Sequence, residues 1–369
     1  MSSYDAVIVG SGLTGAVIGR KLADAGWSVV VLDRRPHLGG NVYDTYHSSG
    51  IRVHPHGPHY FRTNDPELWK FVNRFAEFYK YEAILKSFVD ERYENWPIAA
   101  SYIRRTVGEN WKPEFTGQPT NFEEASLAMM PRVVYEKFVK GYTEKQWGVP
   151  AKTLSVSLAK RFDVREDDEP RLMRHQFQGL PVKGYANMME RMLAGIRVVL
   201  DCDYLKHRDD FHAKKLTVFT GPVDEYFGFD LGRLKYRGQQ RTEEYLSDVD
   251  FAQPCGQVNN PDPSNGPHIR TLEWKHMMHP EKLGNIRGTV LTRETTVTPS
   301  DPNNYEYPFP DEANSLLYNA YRERAKAIPN LLVCGRLGEY RYYDMDQAIA
   351  RAMLLAKRIL NGAAAVSRS

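Results

Sequence analysis

The N-terminal residues alternate between short apolar runs and one amphipathic segment. Residues 6–9 form a continuous apolar run, and a second run ends in Asp33. Residues 16–24 lie between the two runs, and their apolar positions recur at helical spacing. Because continuous apolar runs are typical of parallel strands covered on both faces, this pattern predicts a strand, a turn, a helix and a second strand.

The C-terminal residues repeat this order. Residues 330–336, NLLVCGR, predict a strand, and the later segment DMDQAIARAMLLAKRIL has apolar residues spaced as in a helix. Asp344 precedes the apolar helix positions and is well placed as an N-cap. Between strand and helix lies GRLGEYRYYDM, in which tyrosines alternate with charged residues. This mixture of phenol rings and charge predicts a surface that contacts a ligand.

Three glycines follow the first strand at the spacing of a dinucleotide-binding turn. Gly10 allows a tight turn, Gly12 lets the backbone approach a pyrophosphate, and Gly15 lets helix and strand pack closely. The N-terminus of the helix offers unpaired N–H groups to phosphates. Asp33 lies at the distance at which an acid accepts hydrogen bonds from a ribose. These features predict dinucleotide binding, and the alternative is a glycine-rich turn without a ligand.

The loop after Asp33 favours FAD over NAD. It contains Gly39, Gly40 and Asn41, whereas NAD domains usually continue here into another helix. A second glycine pair at this place resembles the glutathione-reductase-like FAD superfamily. In that superfamily a C-terminal strand, turn and helix complete the FAD domain, and the N-terminus of the helix points at the flavin. The tyrosine-rich segment is therefore expected to line the flavin pocket.

Composition narrows the class of protein. The chain has 369 residues, enough for two or three domains, and a net charge of +3. This near balance argues against a nucleic-acid-binding surface and against a polybasic membrane anchor. Three cysteines without metal-ligand spacing predict a reduced, cytosolic environment and no metal site. The N-terminus has no basic region before its short apolar run, so we expect neither a secretion signal nor a membrane span.

Six blocks of sequence point to one family. They are FVKGYTEKQWG (138–148), LAKRFDVR (158–165), FTGPVDEYFGFDLGRLKYR (219–237), IRTLEWKH (269–276), YEYPFPDE (305–312) and GRLGEYRYYDM (335–345). In this order the blocks resemble the UDP-galactopyranose mutases of the bacterial type, and the similarity extends over nearly the whole chain.

The resemblance implies an α/β fold with three parts. A discontinuous FAD-binding domain of the glutathione-reductase-like type is joined by an inserted helical domain and by an antiparallel sheet domain for the substrate. The implied boundaries are 1–64, 196–234 and 311–369 for the FAD domain, 65–150 for the helical domain, and 151–195 with 235–310 for the sheet domain.

The resemblance also implies a reaction. The family interconverts the pyranose and furanose forms of UDP-galactose without net redox change, which makes the enzyme an isomerase. N5 of the reduced FAD attacks the anomeric carbon of the sugar, and UDP departs. By the same resemblance the chain is expected to be a cytoplasmic homodimer that neither binds nucleic acid nor inserts into a membrane.

Site residues follow from the matching blocks. The residues expected to hold the substrate phosphates, and so to be catalytic, are Arg161, Arg270, Tyr307 and Tyr342. Arg161 is expected on a mobile loop that closes over the substrate. The residues expected to bind the substrate at its uridine end are Phe138, Tyr142 and Trp147. The residues expected to bind FAD are Gly10, Gly12, Thr14, Gly15, Asp33, Arg34, Gly39, Gly40, Asn41, His59, Arg336, Asp344 and Met345.

The sugar end departs from the family pattern. Arg62 stands where the family usually has a second histidine, Ala83 stands where an asparagine faces the galactose, and a tyrosine downstream of Arg161 is absent. A guanidinium at Arg62 can donate to an acetamido carbonyl, with room left by Ala83. This predicts Arg62 as a catalytic-site residue and UDP-N-acetylgalactosamine as a substrate, alone or beside UDP-galactose. The alternative is that Arg62 forms a local ion pair and galactose remains the substrate.

Two other functions are compatible with an FAD-binding domain. An oxidoreductase of the amine-oxidase-like class would oxidise its substrate, but two phosphate-binding arginines suit a charged nucleotide sugar better than an amine. A non-catalytic flavoprotein would bind a nucleotide sugar without turnover. The fold alone does not separate these functions, because FAD domains host many reactions.

Overall fold

The computed structural model describes residues 2–162 and 164–362, apart from the side chains of Ser2, Lys160, Arg161 and Asn285. The strands are β1 (Ser2–Val9), β2 (Val29–Leu32), β3 (Thr45–Tyr46), β4 (Arg52–Val53), β5 (Phe61–Thr63), β6 (Phe78–Lys80), β7 (Leu85–Val89), β8 (Arg92–Trp96), β9 (Phe177–Pro181), β10 (Arg197–Val199), β11 (Phe211–Phe219), β12 (Tyr236–Leu246), β13 (Gln257–Asn259), β14 (Arg270–Glu273), β15 (Thr289–Val297), β16 (Tyr307–Pro308) and β17 (Leu331–Val333).

Helices of three kinds connect these strands. The α-helices are α1 (Leu13–Asp24), α2 (Pro66–Asn73), α3 (Ala100–Val107), α4 (Phe122–Leu127), α5 (Arg132–Val134), α6 (Gly141–Trp147), α7 (Gly184–Met192), α8 (Val223–Tyr226), α9 (Glu312–Lys326), α10 (Gly335–Gly338) and α11 (Met345–Leu360). A π-helical turn covers Tyr135–Lys140. The 3-10 segments are Ala151–Thr153, Val156–Arg161, Arg208–Asp210, Pro263–Asn265, Trp274–Met277, Pro280–Asn285 and Pro302–Asn304. Within the described ranges, every helix is too short or too polar to cross a membrane.

A parallel five-stranded sheet organises the dinucleotide-binding part. Its strand order is β10-β2-β1-β11-β17, and each neighbouring pair is parallel. Helices α1 and α11 cover one face, where Ile8, Val17 and Ile349 share a core. Val7 and Val30 point to the opposite face and pack in a second core. The predicted continuous apolar runs are therefore explained by burial on both faces.

This sheet is assembled from three distant stretches of chain. β1 and β2 come from the N-terminal residues, β10 and β11 from the middle, and β17 from the C-terminal region. The predictions of a β1–α1–β2 unit and of a C-terminal strand and helix are confirmed. α11 begins at Met345 directly after Asp344, whose backbone N–H bonds Oε1 of Gln347 at 3.1 Å in a capping box.

A seven-stranded mixed sheet is the second large sheet of the protein. Its order is β16-β12-β15-β14-β13-β7-β8, and all its pairs are antiparallel except β13 with β7. Most of it comes from residues 235–310, where an antiparallel sheet is expected from the sequence. A small sheet, β5-β9-β6, packs separately, so β9 does not join the large sheet.

Residues 78–96 differ from the expectation of a helical domain over 65–150. They form β6, β7 and β8, and the last two strands extend the large sheet. The physical reason is visible in β7, where buried and half-buried residues alternate along LKSFV with the period of a strand. In this region α2 is confined to Pro66–Asn73, with Asp65 as its N-cap.

Residues 132–147 form a continuous helical segment, as their amphipathic pattern predicts. α5, the π-helical turn and α6 follow one another without a break. Their apolar side chains pack in a core with α3 and α4. Single π turns inside helices occur frequently at functional sites, and this one directly precedes the GYTEKQW block.

Candidate active site

A cavity of about 1200 Å³, its open mouth included, lies at the carboxyl ends of β1, β2 and β11. In open parallel sheets this edge is where ligands bind. The cavity is lined by most residues predicted to hold FAD, namely Gly10, Gly12, Thr14, Asp33, Arg34, Gly39, Gly40, Asn41, His59, Arg336 and Met345. The two other predicted residues, Gly15 and Asp344, lie behind this lining, at the start of α1 and of α11.

A different local contact explains why each of the three motif positions is a glycine. Gly10 has a φ of +101°, and a Cβ there would lie 2.1 Å from Oγ1 of Thr220. A Cβ on Gly15 would lie 1.9 Å from the carbonyl oxygen of Gly10, so only glycine lets α1 start this close to β1. At Gly12 the nearest atom is the carbonyl oxygen of Gly39 at 3.9 Å, so this position is open to a ligand. A phosphate at the N-terminus of α1 fits that cradle.

Asp33 is held in place by its neighbours at the end of β2. Its Oδ2 accepts hydrogen bonds from the backbone N–H and the hydroxyl of Ser11, at 2.7 and 2.6 Å. Its Oδ1 accepts from the backbone N–H of Arg35 at 2.9 Å. Oδ2 thus uses both of its lone pairs and Oδ1 keeps one, so the fixed carboxylate can accept a further hydrogen bond from a ribose diol through Oδ1.

Arg34 contacts a residue that the sequence analysis did not identify. Its two Nη groups donate to the two carboxylate oxygens of Glu225, both at 2.8 Å. This bidentate pair fixes the guanidinium in the wall of the cavity. Residues 202–205 and 220–222 complete this end of the cavity and were also missed, although residues 219–237 form one of the blocks that resemble the family.

His59 forms part of the wall at the opposite end of the cavity and is half-buried. Its Nδ1 is buried, so the ring meets the cavity through its other atoms. Burial, followed by the charges of His54 and Arg336, lowers the pKa of His59 well below its ordinary value, so the ring is neutral. The glycine cradle at one end and His59 at the other therefore fit the phosphates and the ring system of FAD.

Arg336 and the tyrosine-rich segment form the neighbouring wall. Nη2 of Arg336 donates to the carbonyl oxygen of Tyr343 at 2.7 Å, and its guanidinium lies 4.8 Å from the centre of the Tyr342 ring. Tyr342 stacks in turn on Tyr307, with ring centres 5.8 Å apart and planes at 16°. Tyr340 points elsewhere, and its hydroxyl bonds the backbone of residues 235 and 309. The residues of the segment GRLGEYRYYDM that line the cavity are Gly335, Arg336, Leu337, Tyr343 and Met345, so Tyr343 contributes a tyrosine to the wall whereas Tyr340 and Tyr342 do not.

A buried network of alternating charge lies beside these tyrosines. Nε of Arg270 contacts Oε2 of Glu294, and Oε1 of Glu294 accepts from Nε of Arg241 at 2.7 Å. Arg241 also donates to both carboxylate oxygens of Glu306, at 2.8 and 3.1 Å. Burial acts to raise the pKa of Glu294, but the charges of Arg270 and Arg241 outweigh it and hold that pKa below its ordinary value.

The network places Arg270 close to the predicted substrate tyrosines. Tyr307 and Tyr142 lie close to Arg270, within the range of electrostatic interaction with its guanidinium. Burial raises the pKa of Tyr307 well above its ordinary value, so its hydroxyl stays a neutral hydrogen-bond donor. Because Arg270 contacts Glu294 through Nε, its two Nη groups can donate to a phosphate.

Three other predicted substrate residues are placed differently. Phe138 is 1% exposed and packs edge-on against Tyr102. Trp147 is 6% exposed and packs edge-on against Phe309, in the same core. In this conformation neither side chain presents a free face to a uracil ring. Arg161 ends the 3-10 segment Val156–Arg161, and its side chain lies outside the described part of the chain.

The sugar-end departures also have structural partners. Nη2 of Arg62 donates to Oδ2 of Asp344 at 3.0 Å, which is the local ion pair considered as an alternative above. Ala83 is buried, and its carbonyl oxygen accepts from the backbone N–H of Leu172 at 2.7 Å. Ala83 therefore supports the segment downstream of Arg161.

Sequence reasoning missed Arg241, Glu294 and Glu306. A usable signal was present in β15, where Glu294 shares its face with Val290 and Thr292. An acid on the inward face of a strand requires a cationic partner, because a buried charge is costly without one. The missed Gly57 also serves this network, since a Cβ there would lie 3.0 to 3.1 Å from Arg241 and Glu294.

Comparison with known proteins agrees with this geometry. The family model for UDP-galactopyranose mutase matches residues 137–342, which include Tyr142, Arg270, Tyr307 and Tyr342. The chain belongs to the UDP-galactopyranose mutase family. A second model, the NAD(P)-binding Rossmann-like domain, matches residues 8–75. The chain is therefore a flavin-dependent pyranose–furanose mutase, an isomerase with FAD as its cofactor, and these predictions are confirmed.

Individual relatives extend over the full chain. A probable UDP-galactopyranose mutase of Klebsiella pneumoniae is 32% identical and covers 99% of this chain and 97% of its own length. A dTDP-fucopyranose mutase of Escherichia coli is 29% identical and covers 95% of this chain and 97% of its own length.

Solved structures show the fold. A crystal structure of reduced UDP-galactopyranose mutase has a TM-score of 0.72 at 13% identity, and covers 99% of this chain and 98% of its own. Putrescine oxidase bound to putrescine has a TM-score of 0.59 at 12% identity, and covers 98% and 99%. The fold is thus shared with amine oxidases, and the family match separates this chain from them.

Proposed function

We propose that this mutase acts on UDP-galactose and that Arg270, together with Tyr307 and Tyr342, binds the diphosphate of this nucleotide sugar. The observation that carries the proposal is the position of Arg270 beside Glu294 and Tyr307, with its Nη2 3.7 Å from the place of a Cβ on Gly57, two residues before the cavity-lining His59. A guanidinium fixed by a buried carboxylate is suited to a phosphate. A neutral tyrosine hydroxyl beside it can donate a further hydrogen bond.

The roles of the residues follow from the bond that must break. When bound and reduced, FAD supplies a nucleophilic nitrogen for the anomeric carbon of the sugar. As the bond between that carbon and the phosphate oxygen breaks, negative charge develops on the phosphate, and Arg270 stabilises it. Tyr307 and Tyr342 keep the diphosphate in one orientation, so that the returning phosphate meets the same carbon.

A second cation is proposed at Arg161 from the family resemblance. A diphosphate carries more than one negative charge, and Glu294 already offsets part of the charge of Arg270. A further arginine would therefore strengthen binding. Tyr142 on α6 is the proposed contact for the uridine end, because it lies near Arg270. Trp147 and Phe138 would contact the base only after a change in the packing of their core.

The sugar is proposed to be galactose, with N-acetylgalactosamine as the alternative. The Arg62–Asp344 pair supports galactose, because it occupies the Nη2 group that an acetamido carbonyl would otherwise use. The dTDP-fucopyranose mutase among the relatives indicates that nucleotide and sugar vary at this level of identity. Sugar preference therefore needs a direct comparison of substrates.

The test is a panel of nucleotide sugars with the dithionite-reduced enzyme. UDP-galactopyranose, UDP-N-acetylgalactosamine and dTDP-fucose are incubated separately, and furanose products are separated by chromatography. We expect UDP-galactofuranose from the first, with kcat/KM at least about tenfold above the other two, since one lost or added hydrogen bond changes selectivity by this order. Turnover of UDP-N-acetylgalactosamine that disappears in Arg62→His would establish the alternative. Arg74→His, a surface substitution, serves as the control.

A further inference from the structure

Two buried side chains hold the backbone of His59 from opposite sides. The N–H of His59 donates to Nδ1 of His54 at 3.3 Å, and the hydroxyl of Tyr185 donates to the carbonyl oxygen of His59 at 3.0 Å. His54 is 4% exposed and Tyr185 is fully buried. Each of these bonds replaces water that the backbone of a loop would normally contact.

Asp44 joins these two side chains into one unit. Its Oδ2 accepts the backbone N–H of Tyr185 at 2.7 Å and lies 4.0 Å from Nε2 of His54. Its Oδ1 accepts the backbone N–H of Ala186 at 2.9 Å, which fixes the start of α7. The Asp44–His54–Tyr185 unit therefore ties the His59 loop to α7, an element of the dinucleotide-binding core.

The tautomer of His54 follows from this arrangement. Burial, assisted by the charge of Arg52, lowers the pKa of His54 to about 3, so the ring is neutral. Nδ1 accepts from His59, so the ring hydrogen lies on Nε2, which faces the carboxylate of Asp44. The carboxylate thus favours the one tautomer in which His54 can hold His59.

The ring of His59 contacts the same unit from the cavity side. Its centre lies 5.8 Å from that of His54 and 6.0 Å from that of Tyr185. His59 as a whole is half-buried and lines the cavity, whereas its Nδ1 is buried. The unit therefore fixes a histidine whose ring forms part of the cavity wall.

We propose that Asp44, His54 and Tyr185 are positioning residues, which hold the ring of His59 against the ring system of FAD and so tune the relative affinity for oxidised and reduced cofactor. The inference depends on FAD binding and is independent of which sugar the enzyme prefers. It is tested without any nucleotide sugar, so its failure is distinguishable from failure of the proposed substrate.

The first test compares two fully buried tyrosines whose hydroxyls each donate to a backbone carbonyl. The hydroxyl of Tyr321 donates to the carbonyl oxygen of Gly232 at 2.8 Å and also accepts the N–H of Leu231 at 2.9 Å, and Tyr321 does not line the cavity. We expect Tyr185→Phe in the FAD-loaded enzyme to change the ratio of the two FAD affinities about fivefold, as for one hydrogen bond. For a two-electron couple this is a shift of about 20 mV in flavin reduction potential. Tyr321→Phe should leave the potential at the wild-type value.

The second test asks whether a hydrogen-bond acceptor at position 54 is sufficient. In His54→Asn the amide oxygen takes the place of Nδ1 and can accept from His59, whereas His54→Leu has similar bulk and no acceptor. We expect the wild-type potential in the first variant and a shifted potential in the second. If Tyr185→Phe matches Tyr321→Phe, the proposal is wrong, whether or not His54→Leu folds. It is equally wrong if the asparagine and leucine variants share one potential.

Discussion

At the scale of single residues, arginines and glutamates beside the substrate tyrosines alternate and form ion pairs. Arg270 and Arg241 flank Glu294, and Arg241 continues to Glu306. Each buried charge is thereby paired, which is the condition under which charges are tolerated in a protein interior. The two arginines of this network differ in their contacts. Arg241 donates to the carboxylates of Glu294 and Glu306, whereas Arg270 contacts the carboxylate of Glu294 through its Nε. We therefore assign them different roles.

Arg270→Lys tests the task assigned to Arg270. A lysine keeps the charge opposite Glu294 but lacks the planar fork that can contact a carboxylate and a phosphate together. We expect kcat/KM for the nucleotide sugar to fall about 10- to 100-fold, the effect of one charge-assisted hydrogen bond. Steady-state kinetics measure this. Arg293→Lys on the neighbouring strand β15, exposed and paired with Glu244, is the control and should retain wild-type kinetics.

Glu294→Gln tests the stability of the network. Removing this carboxylate leaves two buried guanidinium groups short of a partner, and we expect a loss of about 3 kcal/mol near neutral pH. The folded pKa of Glu294 lies below its ordinary value of 4.5, so its stabilisation is present above that value and is lost as pH falls through the lowered pKa. The gap between wild type and variant should therefore narrow in acid.

Urea unfolding across this pH range measures the gap. Glu244→Gln on the neighbouring strand removes an exposed pair with Arg293 and should cost less than about 1 kcal/mol at every pH. A Glu294→Gln variant as stable as wild type near neutral pH would show that the two arginines do not depend on this carboxylate.

Elements differ in how well the sequence predicts them. α1 and α11 were predictable, because a glycine turn or an aspartate cap marks their starts and their apolar spacing continues for several turns. β7 and β8 were not recognised, since they are short and follow a helix-like pattern at residues 66–80. Strand pairing such as β13 with β7 joins residues far apart in sequence, and no local pattern specifies it.

The start of α1 supplies a prediction at the scale of the element. Gly12→Ala adds a methyl group whose nearest protein atom is 3.9 Å away, so the fold should be kept. The same methyl group occupies the approach of a pyrophosphate, and we expect FAD to bind at least about tenfold more weakly. Titration of apo-protein with FAD measures this loss.

Two other glycines serve as references for that variant. Gly284→Ala has no atom within 4 Å of the new Cβ and should bind FAD as the wild type does. Gly15→Ala places its Cβ 1.9 Å from the carbonyl oxygen of Gly10 and should prevent α1 from packing. Unchanged FAD affinity in Gly12→Ala would mean that the cofactor does not contact the start of α1.

At the scale of the whole molecule, the site joins two sheets. The parallel sheet presents the cavity with its glycine turn, and the large mixed sheet presents Arg270 on β14 and Glu294 on β15. The sequence predicted the glycine turn through a local motif and Arg270 through family resemblance. The buried partners Glu294, Arg241 and Glu225 were missed because their roles depend on contacts between distant parts of the chain.

The most direct test of the account is the dependence of turnover on the redox state of the flavin. The purified enzyme is incubated with UDP-galactofuranose, once with its flavin oxidised and once after reduction by dithionite, and the products are separated by chromatography. We predict UDP-galactopyranose only from the reduced enzyme, with the flavin still reduced at the end. Equal conversion by the oxidised enzyme, or reoxidation of the flavin in step with substrate consumption without oxygen, would contradict a mutase that uses reduced FAD without net redox change.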